Sequence, residues 1–197
     1  MLRLMTKITF LRHGATDANT AGYFAGKEDL PLNEVGEQEA ARVAEELKDR
    51  EFDVMVYGCR KRVEQTAQIV LKQLRKKPKK VVENPDIYEL DFGKFEGLNY
   101  MEIEQKYPAE WNRYLEHWQN YNFPGGSNSQ KFFGHCGEIM FDIKNEYAGK
   151  KILLVGHKGF ILCAMAFLNG GTIDDISKYA IGTAQTLEAE VDRESED

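Results

Sequence analysis

Short apolar runs that alternate with longer helical patterns are the feature of this sequence that most narrows its fold. The runs are short enough for buried strands, and the segments between them carry apolar residues at helical spacing. In chain order the predicted elements are the strands 8–11, 53–57, 81–82, 151–155 and 186–191 and the helices 33–50, 61–77, 99–121 (two helices split at Pro108), 130–147 and 160–168. Strands alternating with helices predict an α/β fold, a three-layer α/β/α sandwich with a mostly parallel central sheet.

Length, charge and cysteine content limit the classes of protein to which this chain can belong. A chain of 197 residues suggests one domain, 1–197, and a net charge of −6 argues against a nucleic-acid partner. The three cysteines form no CxxC pair, which fits a reducing compartment without disulfides. The longest apolar stretch, 160–168, is too short to span a bilayer, and residues 1–10 hold no apolar run long enough for a signal peptide. We therefore expect a cytoplasmic protein outside the membrane, with an acidic tail at 192–197 that frays.

The first candidate site is a histidine at the end of the first predicted strand. His13 lies between Arg12 and Gly14. A neutral imidazole is nucleophilic near neutral pH, an arginine donates in bidentate fashion to phosphate oxygens, and a glycine lets the backbone approach a ligand closely. This combination indicates phosphoryl-transfer chemistry. The plainer alternative is a loop histidine beside an unrelated surface arginine.

Three further segments point to the same edge of the sheet. His157 also follows a strand, and although a lone histidine is more often structural, its position equivalent to His13 favours a shared site. A basic cluster at 60–62 opens the second helix, where cations oppose the helix dipole unless an anion binds there; a solvated basic turn is the alternative. The loop 88–97 places carboxylates among aromatic residues, an environment that could raise one pKa for general-acid work.

Together these segments resemble the histidine phosphatase superfamily, also called the phosphoglycerate mutase-like family, over residues 8–190. Five motifs match in the family's order, which makes the resemblance highly specific. They are R-H-G-x-T-x-x-N at 12–19, a glycine at 26 with D-x-P-L at 29–32, Arg62 with Q-T-A at 65–67, E-x-x-x-G-x-x-E-G at 89–97, and V-x-H at 155–157.

The resemblance implies a role for each matching residue. His13 would be the phosphorylated nucleophile, and Glu89 would protonate the leaving alkoxide and then activate water. The phosphate pocket would be completed by Arg12, Asn19, Arg62 and His157, the last also counted as catalytic. Two arginines and a second histidine supply the positive charge that a phosphoryl-transfer transition state needs, so the resemblance implies neither a metal nor another cofactor.

The resemblance also implies a helical cap at about 84–130. Five aromatic residues of this segment either pack within the cap or form a lid over the organic part of the substrate. They are Tyr107, Trp111, Tyr114, Trp118 and Tyr121.

Three positions depart from the family pattern. Gly58-Cys59-Arg60 stands where Ser-Pro-Leu is usual, Ser127 follows Gly126 where the family has a glutamate after a glycine pair, and Lys158 replaces the first glycine of a pair after His157. None belongs to the core catalytic set, so we expect them to affect substrate preference more than activity.

Among relatives, residues 89–98 are most similar to the alpha-ribazole phosphatase and broad-specificity phosphatase branch. The expected reaction is hydrolysis of a small phosphate ester, with alpha-ribazole 5'-phosphate or a broad range of esters as candidates. A cofactor-dependent phosphoglycerate mutase is the first alternative. It is less favoured because Asp91 near the mouth of the site would oppose a doubly phosphorylated intermediate.

A catalytically weak protein that binds a phosphometabolite is the second alternative, although the presence of both His13 and Glu89 favours an enzyme. A cysteine phosphatase is excluded because Gln65, not arginine, stands six residues after Cys59. The sequence contains no HxH or HExxH pattern, so we expect no catalytic zinc. His117 and His135 are interpreted as structural or surface residues. The sequence leaves open whether Asp91 or Glu96 replaces Glu89 as the acid, and it leaves the oligomeric state open, with a homodimer as one option.

Overall fold

A computed structural model of the chain describes residues 5–192 and shows a five-stranded sheet between two layers of helices. The strands are β1 (Met5–Arg12), β2 (Val54–Tyr57), β3 (Lys80–Glu83), β4 (Lys151–Gly156) and β5 (Thr186–Asp192). Their order is β3-β2-β4-β1-β5; β1, β2, β3 and β4 run parallel, and β5 is antiparallel to β1. The predicted α/β sandwich with a mostly parallel sheet is confirmed. Apart from Asp192, the predicted acidic tail lies outside the described residues.

Seven α-helices connect the strands within the described part of the chain. They are α1 (Asp17–Ala21), α2 (Glu34–Leu47), α3 (Lys61–Gln73), α4 (Tyr100–Lys106), α5 (Pro108–His117), α6 (Ser129–Glu146) and α7 (Lys158–Leu168). Short 3-10 turns lie at Gly93–Phe95, Trp118–Asn120 and Ile173–Lys178. Among residues 5–192, no helix combines the length and the apolar character that crossing a membrane requires.

Side chains alternate between the two faces of the sheet, so each face buries its own apolar layer. Phe10 and Leu154 point into a layer formed with α6 and α7, whereas Leu11 and Val155 point into a layer formed with α2 and α3. All four side chains are fully buried. The strands are therefore apolar on both faces, which is why they read as continuous apolar runs in the sequence.

The structure departs from the predicted helices most clearly at two places. The helix predicted over 61–77 ends at Gln73, because Leu74 adopts an extended conformation that buries its side chain and Arg75 N donates to the carbonyl of Lys48, 2.9 Å away. The short helix α1 was not predicted. It begins at a capping box in which Thr16 and Asn19 exchange hydrogen bonds, a signal too local to produce an apolar pattern.

Candidate active site

The ends of the two central strands bring the predicted histidines together. Arg12 and Gly156 are paired in the sheet, and the amide of His13 donates to the carbonyl of Gly156 at 3.0 Å. The rings of His13 and His157 consequently lie edge to face, with centroids 5.3 Å apart. Both side chains are buried, so they form the floor of a site at the carboxyl ends of β1 and β4.

The surroundings of His13 fix both its charge and its tautomer. Its Nδ1 lies 2.7 Å from the carbonyl oxygen of Gly14, which can only accept, so Nδ1 carries the proton and Nε2 keeps its lone pair. Burial lowers the pKa of His13 to about 3, and the charges of Arg62 and Arg12 act in the same direction. The ring is therefore a neutral base with a free Nε2, the state required of a nitrogen nucleophile.

The loop after His13 is held by side chains from two helices. The amide of Gly14 donates to Thr66 Oγ1 at 3.1 Å, and the amide of Ala15 donates to the carboxylate of Glu39 at 2.9 Å. A methyl group on Gly14 would lie only 2.4 Å from the carbonyl oxygen of Gly36, so both this loop and α2 need glycine at their contact. The position of His13 is thus set by α2 and α3 as well as by its own strand.

Arg62 is 2% exposed, and a loop of backbone carbonyls holds its guanidinium group. Its Nη1 donates to Glu28 O at 2.6 Å and its Nη2 to Gly26 O at 3.1 Å. Burial lowers its pKa, an effect opposed mainly by the charge of Glu89. A guanidinium group remains protonated at any physiological pH, so the site contains a fixed buried cation.

Arg12 contributes the second guanidinium group. Its Nη1 donates to Ile181 O at 3.1 Å, whereas its Nε is buried and has no hydrogen-bond partner within the described chain. Burial lowers its pKa, and the charges of Glu89 and Glu39 act against that shift. A buried donor without an acceptor is costly unless a ligand satisfies it, which favours an anion at this position.

His157 presents the same kind of unsatisfied group. Both ring nitrogens are buried without a hydrogen-bond partner among residues 5–192. Burial holds the pKa of His157 well below its ordinary value, with further lowering from His13 and the arginines. A neutral imidazole can donate from one nitrogen, so His157 is suited to bind a phosphate oxygen.

Glu89 lies in the loop that follows β3 and contacts the first turn of α7. One carboxylate oxygen accepts from the amide of Gly159 and the other from the amide of Leu90, both at 3.0 Å. Burial raises its pKa, against the opposing influence of these two amides and of Arg62 and Arg12. A methyl group on Gly159 would lie 2.1 Å from Glu89 Oε1, so the glycine is needed for this approach.

The two other candidate acids, like Glu89, accept hydrogen bonds from backbone amides. Glu96 accepts from the amides of Gly26, Lys27 and Phe92 at 3.0 to 3.1 Å. Asp91 accepts from the amide of Gly93 at 2.9 Å and lies 3.5 Å from the ammonium of Lys27. Of the three, only Glu89 lines the cavity that also includes Lys158 and Gly159, the two residues after His157, which supports the acid role predicted for it.

Asn19 occupies a different kind of position from the other predicted residues. Its side-chain oxygen accepts from the amide and the hydroxyl of Thr16, both at 3.1 Å, and this pair starts α1. The oxygen therefore has a structural role, because it caps the first turn of α1. Its predicted role as a phosphate donor depends on the amide nitrogen and stays a prediction.

Sequence reasoning gave no structural role to several residues that shape the site. Thr66 lies within the matched Q-T-A motif, which was the available signal, and it links Gly14 to the carbonyl of Arg62. Glu39 and Glu96 join segments 24 and 70 residues away. Contacts at that separation leave no periodic pattern in one sequence.

A largely apolar cavity of about 340 Å³ opens beside Glu89. Two of the five aromatic residues of the predicted cap line it, Tyr114 and Trp118. Tyr107, Trp111 and Tyr121 instead pack in an aromatic cluster around Phe95. The cap segment therefore combines packing with exposure of rings to the cavity.

The two basic residues that depart from the family pattern lie at the site. The Nε of Arg60 is buried without a hydrogen-bond partner in the described chain, and its charge helps to lower the pKa of His157. Lys158 is exposed and lines the cavity beside Glu89. Within residues 5–192 no group of three or more His, Cys, Asp or Glu side chains is placed to hold a metal ion.

Comparison with known proteins places the chain among phosphatases. The model of the histidine phosphatase superfamily (branch 1) matches residues 8–197. An uncharacterised phosphatase of Bacillus subtilis, PhoE, is 29% identical over 167 residues, which cover 85% of this chain and 79% of the relative. A metal-independent phosphoserine phosphatase of Arabidopsis thaliana is 30% identical over 159 residues, which cover 80% of this chain and 66% of the relative.

The fold is also that of a solved structure. The alpha-ribazole phosphatase from Shigella flexneri superimposes with a TM-score of 0.84, over 95% of this chain and 94% of that chain. The two sequences are 24% identical, so this likeness shows a shared fold.

Proposed function

Because the chain belongs to the histidine phosphatase superfamily, we propose that it hydrolyses phosphate monoesters through a covalent phosphohistidine on His13. The family assignment confirms the enzyme class expected from the sequence, a phosphatase of this superfamily. The proposal concerns the covalent mechanism and the residues that carry it out. Its main support is the 2.7 Å contact between His13 Nδ1 and Gly14 O, which leaves Nε2 as the nucleophilic nitrogen beside two guanidinium groups.

In the first half-reaction, His13 Nε2 attacks the phosphorus atom and the bond between phosphorus and the ester oxygen breaks. The phosphoryl group is transferred to nitrogen, and the leaving alkoxide takes the proton from Glu89. Arg12, Arg62 and His157 hold the three equatorial oxygens, where negative charge accumulates. The buried, unpartnered nitrogens of Arg12 and His157 support this assignment.

In the second half-reaction, water attacks the phosphorus atom of the phosphohistidine and the N–P bond breaks. Glu89, now a carboxylate, accepts the proton from water, and inorganic phosphate leaves. The amides of Gly159 and Leu90 stabilise that carboxylate, while burial favours its protonated form. A carboxyl group held between these influences is suited to exchange a proton in both directions.

We propose that the chain is one domain, 1–197, in which the segment 84–130 caps the site. Tyr114 and Trp118 support the cap, because their rings line the cavity beside Glu89. A cavity of about 340 Å³ has room for a small phosphorylated metabolite with a ring. Alpha-ribazole 5'-phosphate, phosphoserine and a broader range of esters are the candidates to assay. The free cysteines fit the cytoplasm as the compartment.

The mutase alternative makes a distinct prediction for product analysis. A mutase would interconvert 2- and 3-phosphoglycerate faster than it releases inorganic phosphate. The phosphatase mechanism requires the reverse, since water reaches the phosphohistidine in each turnover.

The proposed function is tested by hydrolysis of 4-nitrophenyl phosphate in excess EDTA. We expect turnover by the wild type and a loss of at least about a thousandfold in His13→Ala, since the nucleophile is removed. His117→Ala is the matched control, because His117 is exposed at the end of α5 and should leave the rate unchanged. Equal rates in wild type and His13→Ala would contradict the proposal, and an absence of turnover in the wild type would favour a binding protein with this fold.

A further inference from the structure

Lys158 is placed where its charge has no structural purpose. It is the first residue of α7, where a cation opposes the helix dipole, and its side chain is exposed. No hydrogen bond or ion pair of its ammonium is found in the part of the chain that the structure describes. A cation that stabilises neither its helix nor a neighbouring carboxylate is free to act on a ligand.

Lys158 stands where two cavities meet. The cavity beside Glu89, of about 340 Å³, and a second cavity of about 520 Å³ share four lining residues. The shared residues are Trp118, Lys158, Leu162 and Ile176. The wall of the second cavity includes Ile181, whose carbonyl accepts from Arg12 Nη1, so one residue links this cavity to Arg12. Lys158 directly follows His157 and precedes Gly159, whose amide donates to Glu89. An organic group that extends from a phosphate at His13 into either cavity would therefore approach Lys158.

The acidic groups around the two cavities are occupied by other partners. Asp174 accepts from Gln119 Nε2 at 2.9 Å, and Asp175 forms an ion pair with Lys178. Among residues 5–192, Glu89 is the only carboxylate that lines either cavity, and both its oxygens accept from backbone amides. Lys158 is the only basic residue that lines them within the same described range. The cavities therefore contain one cation for which the described chain provides no anion.

We infer that Lys158 determines specificity by binding a carboxylate on the organic part of the substrate, an inference that rests on the proposed function for the position of the phosphate. The ammonium is a point charge on a flexible stem, which matches a single carboxylate without demanding one geometry. The apolar walls contributed by Trp118 and Leu162 accommodate the carbon skeleton between the two anionic groups. The preferred substrate is accordingly a phosphate monoester with an apolar or ring-containing skeleton and a carboxylate.

Binding of phosphonates tests this inference without requiring turnover. Phenylphosphonate and the three isomers of carboxyphenylphosphonate differ only in the carboxylate, and calorimetric titration gives Kd for each. We expect the wild type to bind the best isomer about fivefold more tightly than phenylphosphonate, or better. Lys158→Met should bring that ratio close to one, Lys158→Arg should restore it, and Lys158→Glu should reverse it. Lys72→Met, on the exposed outer part of α3, should keep the wild-type ratio.

Three results would overturn the inference. The first is a wild type that binds no isomer more tightly than phenylphosphonate, and the second is a preference that survives in Lys158→Met. A loss of affinity for all four phosphonates alike in Lys158→Met would place Lys158 in the phosphate pocket and also overturn it. Because the readout is binding, a wild type that shows the carboxylate preference but hydrolyses no ester would leave this inference standing and remove the proposed function.

Discussion

At the residue scale, the proposed reaction depends on which nitrogen of His13 carries the proton. The motif around His13 predicted a nucleophile, but its tautomer follows from the carbonyl of Gly14 at 2.7 Å, and its neutrality follows from burial beside Arg12 and Arg62. These are properties of the folded site. The sequence identified the residues of the site. Their protonation states depend on neighbouring groups that only the folded structure brings close to them.

Glu89→Gln tests the general acid at the same scale. The variant keeps an oxygen for one backbone amide but cannot protonate a leaving group. We expect the rate for an alkyl phosphate to fall by about 10²- to 10⁴-fold, while 4-nitrophenyl phosphate, whose leaving group needs little protonation, loses far less. Steady-state kinetics on both esters, for wild type and variant, give the comparison.

Asp91→Asn is the control for that experiment. Its carboxylate is bound to the amide of Gly93 and lies near Lys27, so its loss should produce no dependence on the leaving group. Equal slowing of both esters in Glu89→Gln would count against the acid role, and a leaving-group effect in Asp91→Asn would transfer that role to Asp91.

At the element scale, the structure shows how close contacts between elements hold the site. The amide of Gly159, in the first turn of α7, holds Glu89, and Gly14 meets α2 at Gly36. The strand and helix pattern predicted most elements well, because apolar periodicity reflects burial on the sheet. It failed at the end of α3, where Leu74 turns inward, since tertiary packing rather than helix propensity ends that helix.

Gly159→Ala tests the contact between α7 and Glu89. The added methyl group would lie 2.1 Å from Glu89 Oε1, so the carboxylate must move and lose its bond to the amide. We expect the rate for an alkyl phosphate to fall by about 10- to 100-fold with the circular dichroism spectrum unchanged, because a small misplacement of a catalytic group is costly.

Gly134→Ala is the matched control, since it adds the same methyl group inside α6 with no atom within 4 Å. It should leave the rate unchanged and raise the free energy of unfolding by up to about 1 kcal/mol, the helix propensity difference between glycine and alanine. A wild-type rate in Gly159→Ala would show that Glu89 does not need its present position.

At the scale of the whole molecule, a protein with a net charge of −6 concentrates buried positive charge at one edge of its sheet. The order of motifs predicted the fold class and the residues that meet there. It did not predict the long-range hydrogen bonds that hold the loops together. One example is the amide of Gly26, which donates to the carboxylate of Glu96, 70 residues away. Such contacts depend on the path of the chain, which one sequence does not specify.

Anion binding should therefore stabilise the whole fold. At a phosphate concentration one hundred times its Kd, linkage predicts about 2.7 kcal/mol of added stability, or a rise of about 5–10 °C in Tm. Thermal unfolding with phosphate, against chloride at equal ionic strength, measures the shift. Arg62→Met should remove it, because the buried guanidinium is lost. An undiminished shift in that variant would place phosphate elsewhere.

The most direct test of the central claim is to trap the phosphorylated intermediate on His13. Wild type and His13→Ala are mixed with a phosphate ester in EDTA, quenched with alkali within the first turnover, and digested for mass spectrometry. We predict an alkali-stable, acid-labile phosphoryl group on the peptide that contains His13 in the wild type, and no such adduct in the variant. Release of inorganic phosphate without an adduct on His13, or with the adduct on another residue, would contradict the mechanism.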